Sequence, residues 1–258
     1  MPDILQVPWS ELDRLIVLSP HLDDAALGCA GLLAGLRGRV DRLVVTLCAG
    51  DPGAAALLAG PSWLAPPHLR RAEDRAAMAA LDCPFLHLGF IDAIYRRGSD
   101  GAPLYPHGSF IGPMHPTDEA HLAEVQRALT RLCTRVGRIL VLAPLGVGGH
   151  IDHLLCARAA SRLATGDTRL LFYEEFPYSV PGNRLTAGHP DALDPRERIT
   201  ALGNAPDQRL THAFDLDSKL AILQHYPSQL PMLFGSEDAL RQSLAAAVTE
   251  TYWTIHPS

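Results

Sequence analysis

Residues Leu15–Gly31 read LIVLSPHLDDAALGCAG. The apolar run Leu15–Leu18 has the character of a buried strand, and the Ala/Leu-rich stretch from Asp24 to Leu36 has that of a helix. Between the two stand His21, Asp23 and Asp24, three ionisable groups where a strand gives way to a helix. An aspartate at that point commonly caps the helix, which is worth about 0.5–2 kcal/mol over alanine. A cap accounts for one aspartate and leaves the other and the histidine unexplained. Neighbouring side chains at a helix start diverge, so one carboxylate can bind a metal beside His21 while the other faces substrate. That is the division of labour of a metal hydrolase.

The same strand-then-helix unit recurs outward from this stretch. DRLVVTLCA precedes HLRRAEDRAAMAALD, FLHLGF precedes DEAHLAEVQRALTRLCTRV, GRILVLAPLGVGG precedes the run from Asp152 to Leu163, and TRLLFYEEFPY follows. Uniformly apolar strands alternating with helices predict an α/β fold: a doubly wound, mostly parallel, Rossmann-like sheet with helices on both faces. One domain is expected over residues 1–258, with its core at about 14–178 and the C-terminal SKLAILQHY and SEDALRQSLAAAVTETYW packed on it as two helices. Gly50–Pro67, Asp92–Pro116 and Tyr178–Arg209 break the rhythm. Long loops after strands overhang the carboxyl edge of such a sheet, so these are expected to wall a pocket.

Bulk properties narrow the function. With 22 basic against 28 acidic residues and a formal charge of −6, nothing invites a phosphate backbone or an anionic lipid, so nucleic acid is not an expected partner. Cys29, Cys48, Cys83, Cys133 and Cys156 form no CxxC pair and read as core thiols of a reducing compartment. The opening MPDILQVPWSELDR lacks the features of a signal peptide, and no apolar run approaches the ~20 residues that span a bilayer. A cytoplasmic location is expected.

A second constellation lies in LAPLGVGGHIDHLLCARAA, where His150, Asp152 and His153 again follow an apolar strand. Carboxyl ends of parallel strands share one edge, so the two clusters can converge across a crevice. Two histidines and one aspartate then complete a three-ligand site of the kind that holds catalytic zinc. The glycines of GVGGH do not have GxGxxG spacing, and no P-loop lysine follows them, which argues against a nucleotide phosphate there.

SPHLDDAALGCAG resembles the opening motif of the PIG-L/LmbE-like family of metal-dependent N-deacetylases, His-Pro-Asp-Asp or His-Ala-Asp-Asp, and PLGVGGHIDH resembles the family's second motif. RRAEDRAAMAALD, HLGFIDAIYRR and FYEEFPY are similar to further family segments in the same order. Leu22 replaces the usual Pro or Ala, Ala25 a frequent Glu, and Asp82 a common Gly; none of these is a ligand position.

The resemblance implies that His21, Asp24 and His153 bind Zn²⁺, with Fe²⁺ or another divalent metal tolerated by the same donors. It implies that Asp23 is the general base for water, and that His150 polarises the tetrahedral intermediate or protonates the leaving amine. Asp152 would orient the His150 imidazole, a pairing that keeps a histidine cationic near neutral pH. Arg70 and Asp92 would hold sugar hydroxyls, with Arg71 the alternative to Arg70. The implied activity is hydrolytic removal of an N-acetyl or similar acyl group from an amino sugar or its conjugate. A metal-dependent phosphoesterase and a non-catalytic carbohydrate-binding protein are the rivals. The first would be helped by a second metal site, and the second has no use for a base at Asp23. His107 and His115 receive no role, Arg96 and Arg97 are read as solvated or as contacts to an acidic aglycone, and Trp9, Trp63 and Trp253 as core or sugar-stacking aromatics.

Overall fold

The computed structural model describes residues 1–106, 110–134, 137–163, 167–180, 183, 185 and 189–257. Five parallel strands form most of one sheet: β1 (Arg14–Ser19), β2 (Asp41–Thr46), β3 (Phe85–His87), β4 (Ile139–Pro144) and β5 (Thr168–Tyr173), in the order β3-β2-β1-β4-β5. From the adjacent pair β1 and β4 the chain winds outward in opposite directions, to β2 and β3 on one side and to β5 on the other. The loops that follow β1 and β4 therefore part from each other above the sheet. A ligand crevice opens at this switch point in doubly wound folds.

Alternation along each strand divides the core between two faces. Leu15 and Val17 pack with Leu32 and Leu33 of α1 (Asp24–Gly35) and with Leu220 and Leu223 of α7 (Leu216–Leu223). Ile16 and Leu18 point the other way, onto Leu122 and Val125 of α4 (Asp118–Cys133) and Leu155 of α5 (Ile151–Ala160). Each such fully buried aliphatic side chain contributes about 1.5–3 kcal/mol over exposure, so the strand ends that carry the ionisable residues are firmly held. α3 (Pro67–Ala80) adds Ala77 and Met78 to the first face.

The carboxy-terminal third departs from expectation. The helix begun at SEDALRQ is α9 (Glu237–Ala247), and it stops at Val248, whose φ of +39° is left-handed. The β-branched and aromatic residues after it form β7 (Thr249–Pro257), antiparallel to β5 and to β6 (Asn204–Ala213). β6 begins inside the expected 178–209 loop, with a register irregularity between Pro206 and Arg209 where the proline cannot donate. That segment also holds α6 (Pro195–Ala201), the segment at 50–67 holds α2 (Ala54–Ala59), and α8 (Leu230–Phe234) precedes α9. Among the described residues no helix is long and apolar enough to cross a membrane.

Candidate active site

Both motif loops reach the crevice. Asp23 precedes α1 but makes no side-chain cap, so the capping explanation of the first motif fails. Ser19 holds the turn instead: its hydroxyl donates to the His21 carbonyl at 2.7 Å and accepts from the Ala25 amide at 2.9 Å. On the opposite side Gly146 and Gly149, at φ +81° and +72°, give the left-handed turns that deliver His150 to the start of α5.

The two loops meet at one carboxylate oxygen. Asp24 Oδ2 lies 3.3 Å from His21 Nδ1 and 3.3 Å from His153 Nε2, and also accepts the His21 amide at 2.8 Å. His153 Nδ1 is 3.0 Å from Glu175 Oε1, and Glu175 in turn accepts the Gly146 amide at 2.6 Å. His153 Nε2 is buried and has no hydrogen-bond partner, despite its closeness to Asp24. Ring nitrogens of His21, His150 and His153 all lie within 4.8 Å of one another. An orphaned imidazole nitrogen beside a second imidazole and a carboxylate is a donor set that a divalent cation satisfies. Burial opposes charge on Asp24, but His153 and His21 overcome it and hold this carboxyl well below its usual range.

His21 Nε2 faces the other way, 3.1 Å from Asp152 Oδ2 and 3.6 Å from Asp92 Oδ2. Asp152 also accepts the Ala93 amide at 2.8 Å and pairs with Arg96. Cys48, His21 and Asp152 form a second group with donor atoms within 4.8 Å, but the Arg96 guanidinium already supplies that side with a cation. The Nδ1 side of His21 is therefore the one that suits a metal.

Asp152 thus corrects an expectation, because its carboxylate serves His21 and Arg96 and not the His150 ring. Only its backbone amide meets that ring, donating to His150 Nδ1 at 3.2 Å. Burial, followed by the charges of His21 and His153, pushes the His150 pKa well below the usual histidine value. A divalent cation beside those rings acts in the same direction. This environment disfavours the expected cation at His150, and the Asp152 amide donating to Nδ1 leaves Nε2 as the nitrogen that faces outward with a proton to give.

Asp23 and Arg70 complete the floor. Arg70 Nη2 is 3.8 Å from Asp23 Oδ1, and Nη1 is 3.7 Å from Asp92 Oδ2. Arg71 donates instead to the Ala49 carbonyl, so Arg70 is the arginine that faces the site. Burial and the neighbouring Asp24 raise the Asp23 pKa to about 6, against the opposing pull of Arg70 and His21. The surrounding cavity, about 230 Å³, takes wall residues from all three long segments: Trp63 and Leu64; Asp92, Ile94, Phe110 and Ile111; and Tyr178 and Leu185. Gln229 lines it too, with a buried Oε1 that has no partner.

Sequence reasoning missed Glu175, Gln229 and the role of Arg96. Arg96 is buried between Asp152 and Asp118, the latter 2.9 Å from Nη2, so it is neither solvated nor open to an aglycone. Arg97 is exposed and donates to Gly101. Trp9 and Trp253 are buried, which leaves Trp63 on the cavity. His115 is exposed and absent from the cavity lining, while His107 lies outside the described residues.

A family profile described as PIG-L: GlcNAc-PI de-N-acetylase matches residues 16–164, more than half of the chain and both motif loops. The chain belongs to the PIG-L family. Its PIG-L relatives include the 2'-N-acetylparomamine deacetylase of Streptomyces fradiae, 32% identical over 197 residues. That match covers 70% of this chain and 60% of the relative, so the chain spans three fifths of that protein's length. The 2'-N-acetylparomamine deacetylase of Niallia circulans is 26% identical over 261 residues, covering 92% and 88%. Among solved PIG-L-like structures, teicoplanin deacetylase Orf2 in a zinc-inhibited form superposes with a TM-score of 0.75 at 26% identity, covering 95% of this chain and 98% of its own. The A40926 pseudoaglycone deacetylase Dbv21 gives 0.70 at 25%, covering 95% and 97%.

Proposed function

We propose that this protein is a metal-dependent N-deacylase that hydrolyses an acetyl, or similar acyl, group from the nitrogen of an amino sugar or its conjugate. The observation that carries the reading is Asp24 Oδ2, set 3.3 Å from each of two imidazole nitrogens with Asp23 beside it. His21, Asp24 and His153 would hold the ion. Zn²⁺ suits these donors, and Fe²⁺ is also compatible. When bound there, such an ion supplies Lewis acidity and makes a water acidic enough to deprotonate near neutral pH.

The remaining chemistry falls to side chains. Asp23, with a pKa of about 6, is ionised at neutral pH yet basic enough to take the water's proton. That proton then goes to the departing nitrogen, which leaves as the free amine. His150 donates its Nε2–H to the oxyanion that develops on the acyl carbon. Arg70 holds Asp23 and Asp92 in place and, with Asp92, meets sugar hydroxyls. The buried free cysteines fit a cytoplasmic enzyme.

A phosphoesterase reading finds no second metal group free of Arg96 among the described residues, and a binding protein has no need of the Asp23 base. Incubating the metal-loaded protein with N-acetylated amino sugars tests the proposal. Free amine should appear, stop on addition of a chelator and return with metal. Phosphate release from phosphoesters without amine formation would overturn it.

A further inference from the structure

The turn before α8 is fastened to α3. Tyr226 donates its hydroxyl to Asp74 Oδ1 at 2.8 Å, and Ser228 gives Glu73 both its amide, at 2.9 Å, and its hydroxyl, at 2.6 Å. Glu73 follows Arg70 by three residues, so the two stand on one face of α3. Gln229, the next residue of the turn, is thereby held on the Arg70 side of the site, where it is 1% exposed and lines the cavity. Its backbone groups are paired, since the amide donates to the Tyr226 carbonyl at 3.0 Å and the carbonyl accepts the Met232 and Leu233 amides at 3.1 Å.

The Gln229 side-chain amide has one orientation open to it. Nε2 donates to Ser228 Oγ at 2.8 Å. The Ser228 hydroxyl has a single proton and Glu73 takes it, so toward Gln229 that oxygen can only accept, and the NH₂ end of the amide must face it. The Oε1 end is left buried and without a partner. A substrate that fills the cavity either brings a donor to this carbonyl oxygen or shuts it away bare, which weakens binding. We propose that Gln229 is a specificity-determining residue whose Oε1 accepts a hydrogen bond from an O–H or N–H of the substrate, and that a substrate with no donor at that point is discriminated against. The proposal rests on the N-deacylase reading above and adds to Arg70 and Asp92 a recognition element from the carboxy-terminal third of the chain.

The test compares kcat/KM of the metal-loaded wild type and Gln229→Met on two sets of compounds. One is N-acetylglucosamine with its 3-, 4- and 6-deoxy analogues, and the other is 2'-N-acetylparomamine with its analogue in which hydrogen replaces the cyclitol amino groups. Methionine keeps the unbranched shape of glutamine and offers no carbonyl oxygen. One deletion should lower wild-type kcat/KM about tenfold or more, as expected where a buried acceptor is left unpaired, and the same deletion should cost Gln229→Met no more than about twofold. A loss at a sugar hydroxyl assigns the donor to O–H and a loss at the amino groups assigns it to N–H; either supports the proposal. A merely structural role for Gln229 would lower parent and analogue alike. Should Gln229→Met unfold at the assay temperature, Ser228→Ala, which frees the amide to turn its Oε1 away, should narrow the same gap. Deletions that cost wild type and variant the same factor, or that cost wild type nothing, would overturn the proposal and leave the deacylase reading standing. If none of the compounds releases amine, the deacylase reading falls and takes this proposal with it.

Discussion

The His21 ring links the two motifs: its Nε2 is 3.1 Å from Asp152 Oδ2, and its Nδ1 is 3.3 Å from Asp24 Oδ2. Asp152 keeps the proton on Nε2 and so leaves the Nδ1 lone pair directed at the place where Asp24 and His153 converge. Burial opposes a charge on this ring, but Asp92, Asp152 and Asp24 together raise its pKa well above the usual value. A metal at Nδ1 would take the place of the second proton.

Arg96 acts on that ring through Asp152. Replacing it by methionine leaves Asp152 and Asp118 buried without their cation, and breaking a buried pair costs about 3–5 kcal/mol. Thermal unfolding of Arg96→Met should move down accordingly. Its metal affinity, measured by equilibrium dialysis below the unfolding range, should fall about 10–100-fold, as for other lost outer-sphere partners. Unchanged affinity would detach Asp152 from the metal site.

The proposed mechanism gives the three histidines different roles, and metal content would separate them. Wild-type protein should bind about one divalent ion per chain. His153→Ala should weaken it at least about 100-fold, whereas His150→Ala should keep the ion and lower kcat by about 10²-fold or more, the loss seen when an oxyanion donor is removed. Equal metal loss in both variants would make His150 a ligand.

Adjacent aspartates should likewise part company. Asp23→Asn is expected to keep the metal and lose about 10²–10⁴-fold in kcat, as a missing general base does. Asp24→Asn should lose metal first, with activity recovering as metal concentration is raised. Inductively coupled plasma analysis beside steady-state kinetics distinguishes the two.

How much of this was legible in the sequence depends on how local the signal is. β1 with α1 and β4 with α5 announce themselves, because an apolar strand followed by His and Asp at a helix start is unusual over a few residues. The location of the crevice followed from the parallel topology. Arg96 was opaque because YRRG in a Gly/Pro-rich loop looks solvated, and only the fold brings it to Asp152 and Asp118. The acidic pair after β5 hinted at Glu175 without saying which histidine it would meet. β7 was hidden behind the Ala-rich end of α9, where helical composition runs up to the left-handed Val248.

Activity should depend on pH through Asp23. The base works only when ionised, so kcat/KM should rise with pH through an acid limb near 6 and fall off below it. Arg70 lowers this pKa, so Arg70→Gln should move the limb to higher pH as well as reduce activity. Burial and the charges of His21 and His153 push the His150 pKa down, so any alkaline limb should persist in His150→Ala. A limb that moves to lower pH in Arg70→Gln would contradict the assignment of the base.

The central claim is that water attacks the acyl carbon and the C–N bond breaks, and hydrolysis in ¹⁸O-labelled water tests it most directly. Mass spectrometry of the products of an N-acetylated amino sugar should find a single ¹⁸O atom in each acetate released and none in the free amino sugar. Product label confined to the sugar, or acetate formed without ¹⁸O, would contradict the account.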